Sequence, residues 1–358
     1  MSLAKHLNKK YEVHIITKKS DSVYPKLGNI IVHYIEGFGS GNINVLKALP
    51  KLKETIDMIN PSVVHFHCFM SLFLYSSIIE ESKYKVIVTV HSTPNGKDKL
   101  FSWFDGLENQ KSFISIMYNK LKCDVTLFGS QYYMDEYVKH VPDMKRVSKC
   151  YVNPYYSDIK SIPVLYRDKK KNGGKVRILF PSRIVKRKGI EETLELLKLL
   201  PDNYVLDLPA MPQMEYQEYN NVILKKIDEM GLNDRVFYPS TKVIGKEMYE
   251  YYKKADITFI PSYFEGFGIV AVEALATSSL VFSTCTGGLK EIIEDGINGI
   301  RISLDDLSSV RDKILDVMND KKLKHKLLVN GKKILKNKYS KKRHMDLIDE
   351  IYRDLVGE

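Results

Sequence analysis

The sequence has 358 residues, which is enough for two globular domains that each bury a core of their own. Lysine and arginine number 55 against 44 acidic residues, so the net charge of +11 favours anionic partners or a lysine-rich solvated surface. The longest apolar run, FMSLFLYSSII at 69–79, is shorter than the roughly 18 residues that a membrane span needs and predicts a buried helix.

Neither the amino terminus nor the cysteines indicate secretion. The opening MSLAKHLNKKYEVHIIT becomes charged within a few residues, which argues against a signal peptide. Four scattered cysteines without C-x-x-C spacing argue against a zinc or disulfide framework and favour a reducing compartment. We therefore expect a cytoplasmic protein.

The first half contains short runs rich in Val, Ile and Phe that alternate with helical patterns. These runs are YEVHIIT, NIIVHYI, SVVHFH, KVIVTVH, DVTLFGS and SKCYV. Unbroken apolar strands between helices are typical of parallel sheets that are covered on both faces. GFGSGN at 37–42 invites a dinucleotide-binding interpretation, but its G-x-G-x-G spacing lacks the required G-x-G-x-x-G.

Two further features of the first half remain open at this point. His65 and His67 share a strand face and form an H-x-H pair that can hold a metal, although no third ligand is visible in the sequence. The aromatic segment 100–122 fits core or acceptor-lid packing better than a membrane face.

The second half repeats the strand-and-helix pattern with VRILFP, YVLDLP, RVFYP, ITFIPS and LVFST. The polar segment 153–175 resembles an exposed linker, and we place the domain boundary near residue 160. After Ile300 three helical segments follow, the last at 340–356. Two doubly wound domains would bind a ligand at the carboxyl ends of their strands, in the crevice between them.

The segment PSYFEGFGIVAVEALA at 261–276 places two acids among apolar residues. Glu265 lies on a strand-to-helix loop, and Glu273 lies about two turns into a helix that we expect to be buried on all sides. An unpaired buried carboxylate is costly, so Glu273 needs a hydrogen-bond partner from another side chain or from a ligand.

Other strand-to-helix loops offer cationic and backbone groups. Arg183 and Lys188 follow the strand VRILFP and suit a diphosphate, although a basic loop alone is usually only solvated. Gly287 and Gly288 open another predicted helix, whose free N–H groups would form an anion site if the pair is more than a simple turn.

Together these residues resemble the retaining glycosyltransferases of family 4, which have the GT-B architecture. The most specific match is the acidic pair in E-GFGIVAV-E, followed by T-GG-L-K-E-I-I-x-D-G-x-N-G. The resemblance implies two Rossmann-like domains that face each other across a cleft, with a C-terminal helix that returns to the N-terminal domain. With the boundary near residue 160 that the linker indicates, we place the domains at 1–160, 161–339 and 340–358, the last being the crossover helix.

The resemblance also implies site residues. Glu265 would contact donor-sugar hydroxyls, Glu273 the ribose hydroxyls, and Arg183 and Lys188 the diphosphate. His91, at the end of KVIVTVH, would touch the donor sugar. The remaining candidates are backbone groups near the phosphates: Phe267, Gly268, Ile269, Gly287 and Gly288.

The implied enzyme is a hexosyltransferase that uses a UDP-, GDP- or ADP-sugar and needs neither a metal nor another cofactor. Absence of a D-x-D motif agrees with the metal-independent class. The acceptor would be a glycan, a lipid-linked molecule or a protein, with peripheral membrane contact as an open alternative. No reading element for nucleic acid is visible.

One departure concerns the first domain. Family members usually begin with a strand and a glycine-rich loop before the helix that LAKHLNKKYEVHIIT resembles, whereas this sequence starts inside that helix. Without a strand in that central place, two neighbouring strands would have unpaired backbone groups unless another segment fills the gap. The alternative function is therefore an inactive GT-B scaffold that binds nucleotide or a protein partner.

Overall fold

A computed structural model provides the structure and describes most of the chain. The described residues are 2–17, 28–36, 44–67, 83–91, 123–140, 148–158, 174–211, 217–241, 243 and 245–358. The segments 37–42, 69–79 and 100–122 and the predicted boundary at residue 160 lie outside them. Two compact units emerge, one of residues 1–154 with 342–358 and one of residues 155–341, here called unit 1 and unit 2.

The described residues of unit 1 form parallel strands and helices. The strands are β1 (His14–Thr17), β2 (Ile31–Tyr34), β3 (Val63–Phe66), β4 (Lys85–Val90), β5 (Val125–Phe128) and β6 (Lys149–Val152). The helices are α1 (Ser2–Leu7), α2 (Asn44–Ile59), α3 (Gln131–His140) and the C-terminal helix α11 (Lys341–Val356).

Strands β3 to β6 form one parallel sheet whose central strands are buried. Lys85 is in register with Val63 and Val125 with Ile87, so the carboxyl ends of β3, β4 and β5 lie at one edge. Ile348 and Ile351 of α11 pack with Ile87 in the core of this unit. The C-terminal helix therefore belongs to unit 1, as the fold prediction expected.

Strands β1 and β2 form a separate two-stranded parallel sheet, and a groove of about 800 Å³ separates β1 from β3. The carbonyls of Val13 and Thr17 accept bonds from the β2 segment, and that of Ser62 accepts from Lys85. Backbone N–H and C=O groups point to alternate sides along a strand. The N–H and C=O groups of His14 in β1 therefore point away from β2, and those of Val63 in β3 point away from β4. The groove is lined by all of β3 and by the first three residues of β1, so these two sheet edges of the described part border it.

Unit 2 contains the second set of strands and helices. The strands are β7 (Val176–Leu179), β8 (Tyr204–Asp207), β9 (Val236–Phe237), β10 (Ile257–Ile260), β11 (Leu280–Ser283) and β12 (Ile300–Arg301). The helices are α4 (Ile190–Leu199), α5 (Gln217–Glu229), α6 (Lys246–Lys254), α7 (Ile269–Ala276), α8 (Leu289–Ile292), α9 (Leu307–Asn319) and α10 (Lys321–Lys338), and a 3-10 turn covers Lys186–Lys188.

The sheet of unit 2 is parallel, with the order β12-β11-β10-β7-β8-β9. The first strand, β7, therefore lies between β8 and β10, and the chain reverses its direction of winding at that point. Ile257 of β10 is in register with Ile178 of β7, so the loops that follow these two strands emerge side by side. Such a switch in strand order is where open α/β sheets bind their ligands.

Each of the eleven apolar runs identified in the sequence contains one of these strands. The sequence analysis missed β12, because the two residues Ile300 and Arg301 are too few to show a period. Within the described residues, no helix is both long enough and apolar enough to cross a membrane.

Candidate active site

The loops after β7 and β10 meet at the switch point of unit 2. Gly189 has φ +75°, and a Cβ there would collide with the carbonyl oxygen of Pro261, so only glycine permits this close approach. The amide of Tyr263 donates a 3.0 Å hydrogen bond to the carbonyl of Arg187. The two loops are thus held together along their backbones.

This contact brings Lys188 and Glu265 into an ion pair between Nζ and Oε1. The Ser262 hydroxyl donates to the same carboxylate oxygen over 3.1 Å. The side chains of Lys188 and Glu265 are only 9% and 12% exposed. A cation and a carboxylate that were 77 residues apart in sequence therefore share one nearly buried position.

The surroundings of this pair are rich in positive charge. Burial lowers the pKa of Lys188, the attraction of Glu265 opposes that change, and the charges of Arg187 and Arg183 lower the pKa further. Arg183 is exposed in the same loop. Together with Lys186 these residues give the loop after β7 four cations against the one carboxylate of Glu265, which makes the loop attractive to an anion such as a phosphate.

Glu273 lies on α7, and its carboxylate has a protein partner. The hydroxyl of Tyr252, on α6, donates a 2.7 Å hydrogen bond to Oε2 of Glu273. Burial raises the pKa of Glu273, while the bond from Tyr252 lowers it. The sequence correctly indicated that this acid needs a partner, and the structure identifies Tyr252 as one.

The expectation that α7 is buried on all sides is wrong on one face. Ile269, Val270 and Glu273 are half-buried, and the other five residues of the helix are buried. Positions i, i+1 and i+4 lie on the same side of a helix. Glu273 therefore projects from the one side of α7 that is open.

The amino terminus of α7 offers backbone donors. Gly268, with φ +94°, caps the helix in the left-handed conformation and packs against Leu289. In the described part of the chain, the N–H groups of Phe267, Gly268 and Ile269 donate to no protein acceptor. Unpaired N–H groups at a helix start, with the positive end of the helix dipole, suit an anionic group.

The prediction of free N–H groups at Gly287 and Gly288 is wrong for Gly288. The amide of Gly288 donates to the carbonyl of Glu265 over 3.0 Å, and the amide of Leu289 donates to Thr286 over 3.1 Å. A Cβ on Gly288 would overlap the carbonyl of Gly266. Gly288 therefore supports the loop that carries Glu265, and its amide is already used within the protein.

In unit 1, His91 follows the last residue of β4, and its carbonyl accepts a 3.1 Å bond from the hydroxyl of Tyr133. Although His91 reaches solvent, the surrounding protein desolvates its ring and lowers its pKa. Its ring is nearly parallel to that of His67, with centroids 6.0 Å apart. An imidazole with a lowered pKa thus lies at the carboxyl edge of the sheet.

In the H-x-H pair, His65 has a structural role that explains its presence. His65 hydrogen-bonds Tyr352 at Nδ1 over 2.9 Å and Thr89 at Nε2 over 2.7 Å, so both ring nitrogens are satisfied. His67 stacks on His65 with centroids 4.4 Å apart. Although His67 reaches solvent, desolvation by the surrounding protein and the charge of His91 lower its pKa to about 4. No cluster of three or more metal-ligating side chains occurs in the portion of the chain that the structure describes.

Sequence reasoning missed two residues of the site, Ser262 and Tyr252. Ser262 precedes Glu265 by three residues, a spacing that could have indicated the contact. Tyr252 is 21 residues from Glu273 and belongs to a helix with two neighbouring tyrosines, so no sequence pattern selected it.

Two family models match the chain and together cover about nine tenths of it. The model of the glycosyl transferases group 1 matches residues 162–334, and that of glycosyltransferase family 4 matches residues 1–151. An uncharacterized glycosyltransferase of Methanocaldococcus jannaschii is 28% identical over 54% of this chain and 51% of its own length. The chain thus spans about half of that relative.

Solved structures share the fold at low identity. Sucrose-phosphate synthase from Thermosynechococcus elongatus has a TM-score of 0.77 at 20% identity, covering 99% of this chain and 92% of that one. Anabaena HepE in complex with UDP-glucose has a TM-score of 0.71 at 16% identity, covering 92% and 87%. The chain belongs to the group 1 glycosyltransferases of family 4 and has their GT-B fold.

Proposed function

We propose that this protein transfers a sugar from a nucleoside diphosphate donor to an acceptor, with retention of the anomeric configuration. The observation that supports this best is the pairing of Lys188 with Glu265 at the strand-order switch of unit 2. A cation and a hydrogen-bonding carboxylate in one place suit a ligand that carries both phosphates and sugar hydroxyls.

The diphosphate would bind to cations and backbone donors of unit 2. Lys188 offers a partly buried ammonium, Arg183 lies exposed in the same loop, and the N–H groups of Phe267, Gly268 and Ile269 stand at the start of α7. These groups come from the loops after the adjacent strands β7 and β10. Charge-assisted bonds to phosphate are among the stronger polar contacts in proteins.

The two glutamates would bind the sugars of the donor. Tyr252 holds Oε2 of Glu273, which leaves Oε1 on the half-open face of α7 to accept from ribose hydroxyls. Glu265 would accept from hydroxyls of the transferred sugar while Lys188 and Ser262 hold its carboxylate. His91, at the carboxyl end of β4, would contact a sugar through its imidazole.

Stabilising the leaving group would provide the catalysis. When the bond between the anomeric carbon and the diphosphate oxygen breaks, negative charge develops on that oxygen, close to Lys188 and Arg183. The acceptor oxygen bonds the anomeric carbon on the same face, and its proton passes to the departing diphosphate oxygen. Glu265 orients the sugar in this scheme, and neither a metal nor a protein nucleophile takes part.

One structural neighbour supports a nucleoside diphosphate sugar as the donor class. HepE was solved with UDP and with UDP-glucose. A UDP-, GDP- or ADP-sugar is the substrate class, and the acceptor is a glycan, a lipid-linked molecule or a protein.

The test is a panel of UDP-, GDP- and ADP-sugars mixed with purified protein, with thermal shift and release of free nucleoside diphosphate recorded together. We expect one donor to raise the melting temperature and to be hydrolysed slowly. Stabilisation without release, persisting when a range of acceptors is added, would instead support the inactive scaffold. No shift with any donor would contradict the proposal. Glu265→Gln is the control, because the shift caused by a donor that binds at this site should be smaller in this variant.

A further inference from the structure

Helix α10 has an unusual charge pattern. Its 18 residues, KKLKHKLLVNGKKILKNK, include eight lysines and one histidine but no acid. The only acid at its start is the capping residue Asp320, whose carboxylate accepts from the backbone amides of Lys322 and Leu323. The helix therefore carries a charge of +8, compared with a net charge of +11 for the whole chain.

Four of these lysines form a straight row, which we call the lysine stripe: Lys322, Lys326, Lys333 and Lys336. At 100° per residue they fall within an arc of about 80°, and they extend over about 21 Å of the helix. All four are exposed. The stripe is thus an elongated cationic surface.

The stripe lysines lack acidic partners, unlike many other lysines of this protein. Among the described residues, none of the four forms an ion pair. Elsewhere acids are placed beside lysines, as in the pairs of Lys10 with Asp349 and Lys226 with Glu191. A surface whose only purpose is solvation would tolerate such acids here as well, so their exclusion indicates an anionic partner.

The opposite side of α10 is fixed to the helix that carries Glu273. Gly331 lies so close to Leu275 of α7 that a Cβ would overlap that side chain, and Lys332 donates to the carbonyl of Ala276 at the end of α7. Leu327 is buried in the core of unit 2. Whatever binds the stripe would therefore hold the candidate donor site in a defined orientation.

From these observations we infer that the lysine stripe binds the surface of an anionic lipid bilayer. Ammonium groups act as point charges without the planar fork of arginine, which suits a surface of many phosphates better than one shaped ligand. Clusters of four to eight basic residues on a helix have this effect at anionic membranes. The stripe contains no aromatic or arginine residue that could stack on bases, which disfavours a nucleic acid.

The experiment is sedimentation of the full chain with vesicles of phosphatidylcholine mixed with phosphatidylglycerol, compared with pure phosphatidylcholine. The stripe variant changes all four lysines to glutamine. The matched control changes four exposed lysines elsewhere in unit 2 to glutamine: Lys198, Lys225, Lys246 and Lys254. Both variants lose the same charge, so a general effect of net charge would weaken them equally.

We expect the ratio of bound to free protein on anionic vesicles to fall at least tenfold in the stripe variant and less than threefold in the control. Added salt should release the unaltered protein, because surface charges are screened. Equal loss in both variants, binding to neutral vesicles or no binding at all would overturn the inference. Loss of RNA retention by the stripe variant without any vesicle binding would also overturn it.

This inference does not depend on the proposed function. Thermal shift with a nucleotide sugar, measured without vesicles, should be the same in the stripe variant and the unaltered protein, because none of the four lysines belongs to the donor site. A change in that shift would indicate a damaged unit 2, and circular dichroism melting of the variant would show it.

Discussion

The hydroxyl of Tyr252 donates a 2.7 Å hydrogen bond to Oε2 of Glu273 and so joins α6 to α7 at the candidate donor site. Tyr252 itself is fully buried. Its hydroxyl can therefore orient the carboxylate but cannot reach a ligand in solvent. In the proposed function Tyr252 is a positioning residue, and Glu273 would be the group that touches the nucleotide.

Tyr252→Phe should weaken binding of the nucleoside diphosphate by at least about tenfold, since a hydrogen bond to a charged group contributes about 1.5–3 kcal/mol. Calorimetry with the ribonucleotide and its 2′-deoxy analogue checks the reason. We expect the preference for the ribonucleotide to shrink, because Glu273 would no longer be held toward the ribose.

Tyr251→Phe is the control for this experiment, since it removes the same atom from the same helix. In the described structure the Tyr251 hydroxyl makes no hydrogen bond. A ribonucleotide preference that is unchanged in Tyr252→Phe but lost in Glu273→Gln would mean that Tyr252 serves stability alone.

The ion pair of Lys188 and Glu265 should be strongly coupled. Lys188→Met leaves a nearly buried carboxylate without its cation, and breaking one partner of a buried pair costs about 3–5 kcal/mol of unfolding free energy. Adding Glu265→Gln removes the leftover charge, so the double variant should regain at least about 1 kcal/mol over Lys188→Met. Urea unfolding of the four proteins measures the coupling.

Turnover should follow a different pattern from stability. Lys188→Met and Glu265→Gln should each lower it well over tenfold, and the double variant should stay inactive even though its fold is restored. Release of nucleoside diphosphate from the active donor provides the assay. Near-normal turnover in either single variant would remove that residue from the catalytic assignment.

Burial of Glu273 should appear in the pH dependence of stability. Its pKa is raised above the ordinary value of 4.5, so the folded state prefers the protonated acid. The favourable contribution is complete below the unfolded pKa and is lost as pH rises through the folded pKa. Glu273→Gln stays neutral at every pH. Its melting temperature should therefore rise relative to that of the unaltered protein as the pH increases from about 4 to about 8, the range we would scan.

The comparison requires only thermal melts of the two proteins in matched buffers without ligand. A difference in melting temperature that is constant across the range would show that Glu273 ionises as easily in the fold as in the unfolded chain.

Gly288 should tolerate no side chain, although its φ of −66° is available to any residue. Gly288→Ala would place a Cβ on the carbonyl of Gly266 and displace the loop that carries Glu265, so we expect a loss of about 1–3 kcal/mol and weaker donor binding. Gly231→Ala is the control, because its positive φ carries a backbone cost but nothing lies within 4 Å of the new atom. Measuring the unfolding free energy and the donor affinity of both variants shows whether the close contact with Gly266 causes these losses or whether replacing any glycine would do so.

The sequence by itself determined the classes of element and the identity of most candidate residues. Apolar runs such as ITFIPS predict strands because their side chains must be buried on both faces of a parallel sheet, and that requirement is local. The pairing of Glu265 with a GFG turn and a following apolar helix was likewise visible, since loop and helix are adjacent in the chain. The need of Glu273 for a partner followed from the cost of burying a charge.

Only the tertiary structure decided which groups meet. Strand order places β7 beside β10, and this alone brings Lys188 to Glu265, because hydrogen bonding between strands carries no signal in either segment's own sequence. The fold also decided that Tyr252 is the partner of Glu273. It likewise decided that the amide of Gly288, which the sequence analysis expected to be free, donates to the carbonyl of Glu265. Long-range contacts depend on how whole elements pack, so these assignments required the fold.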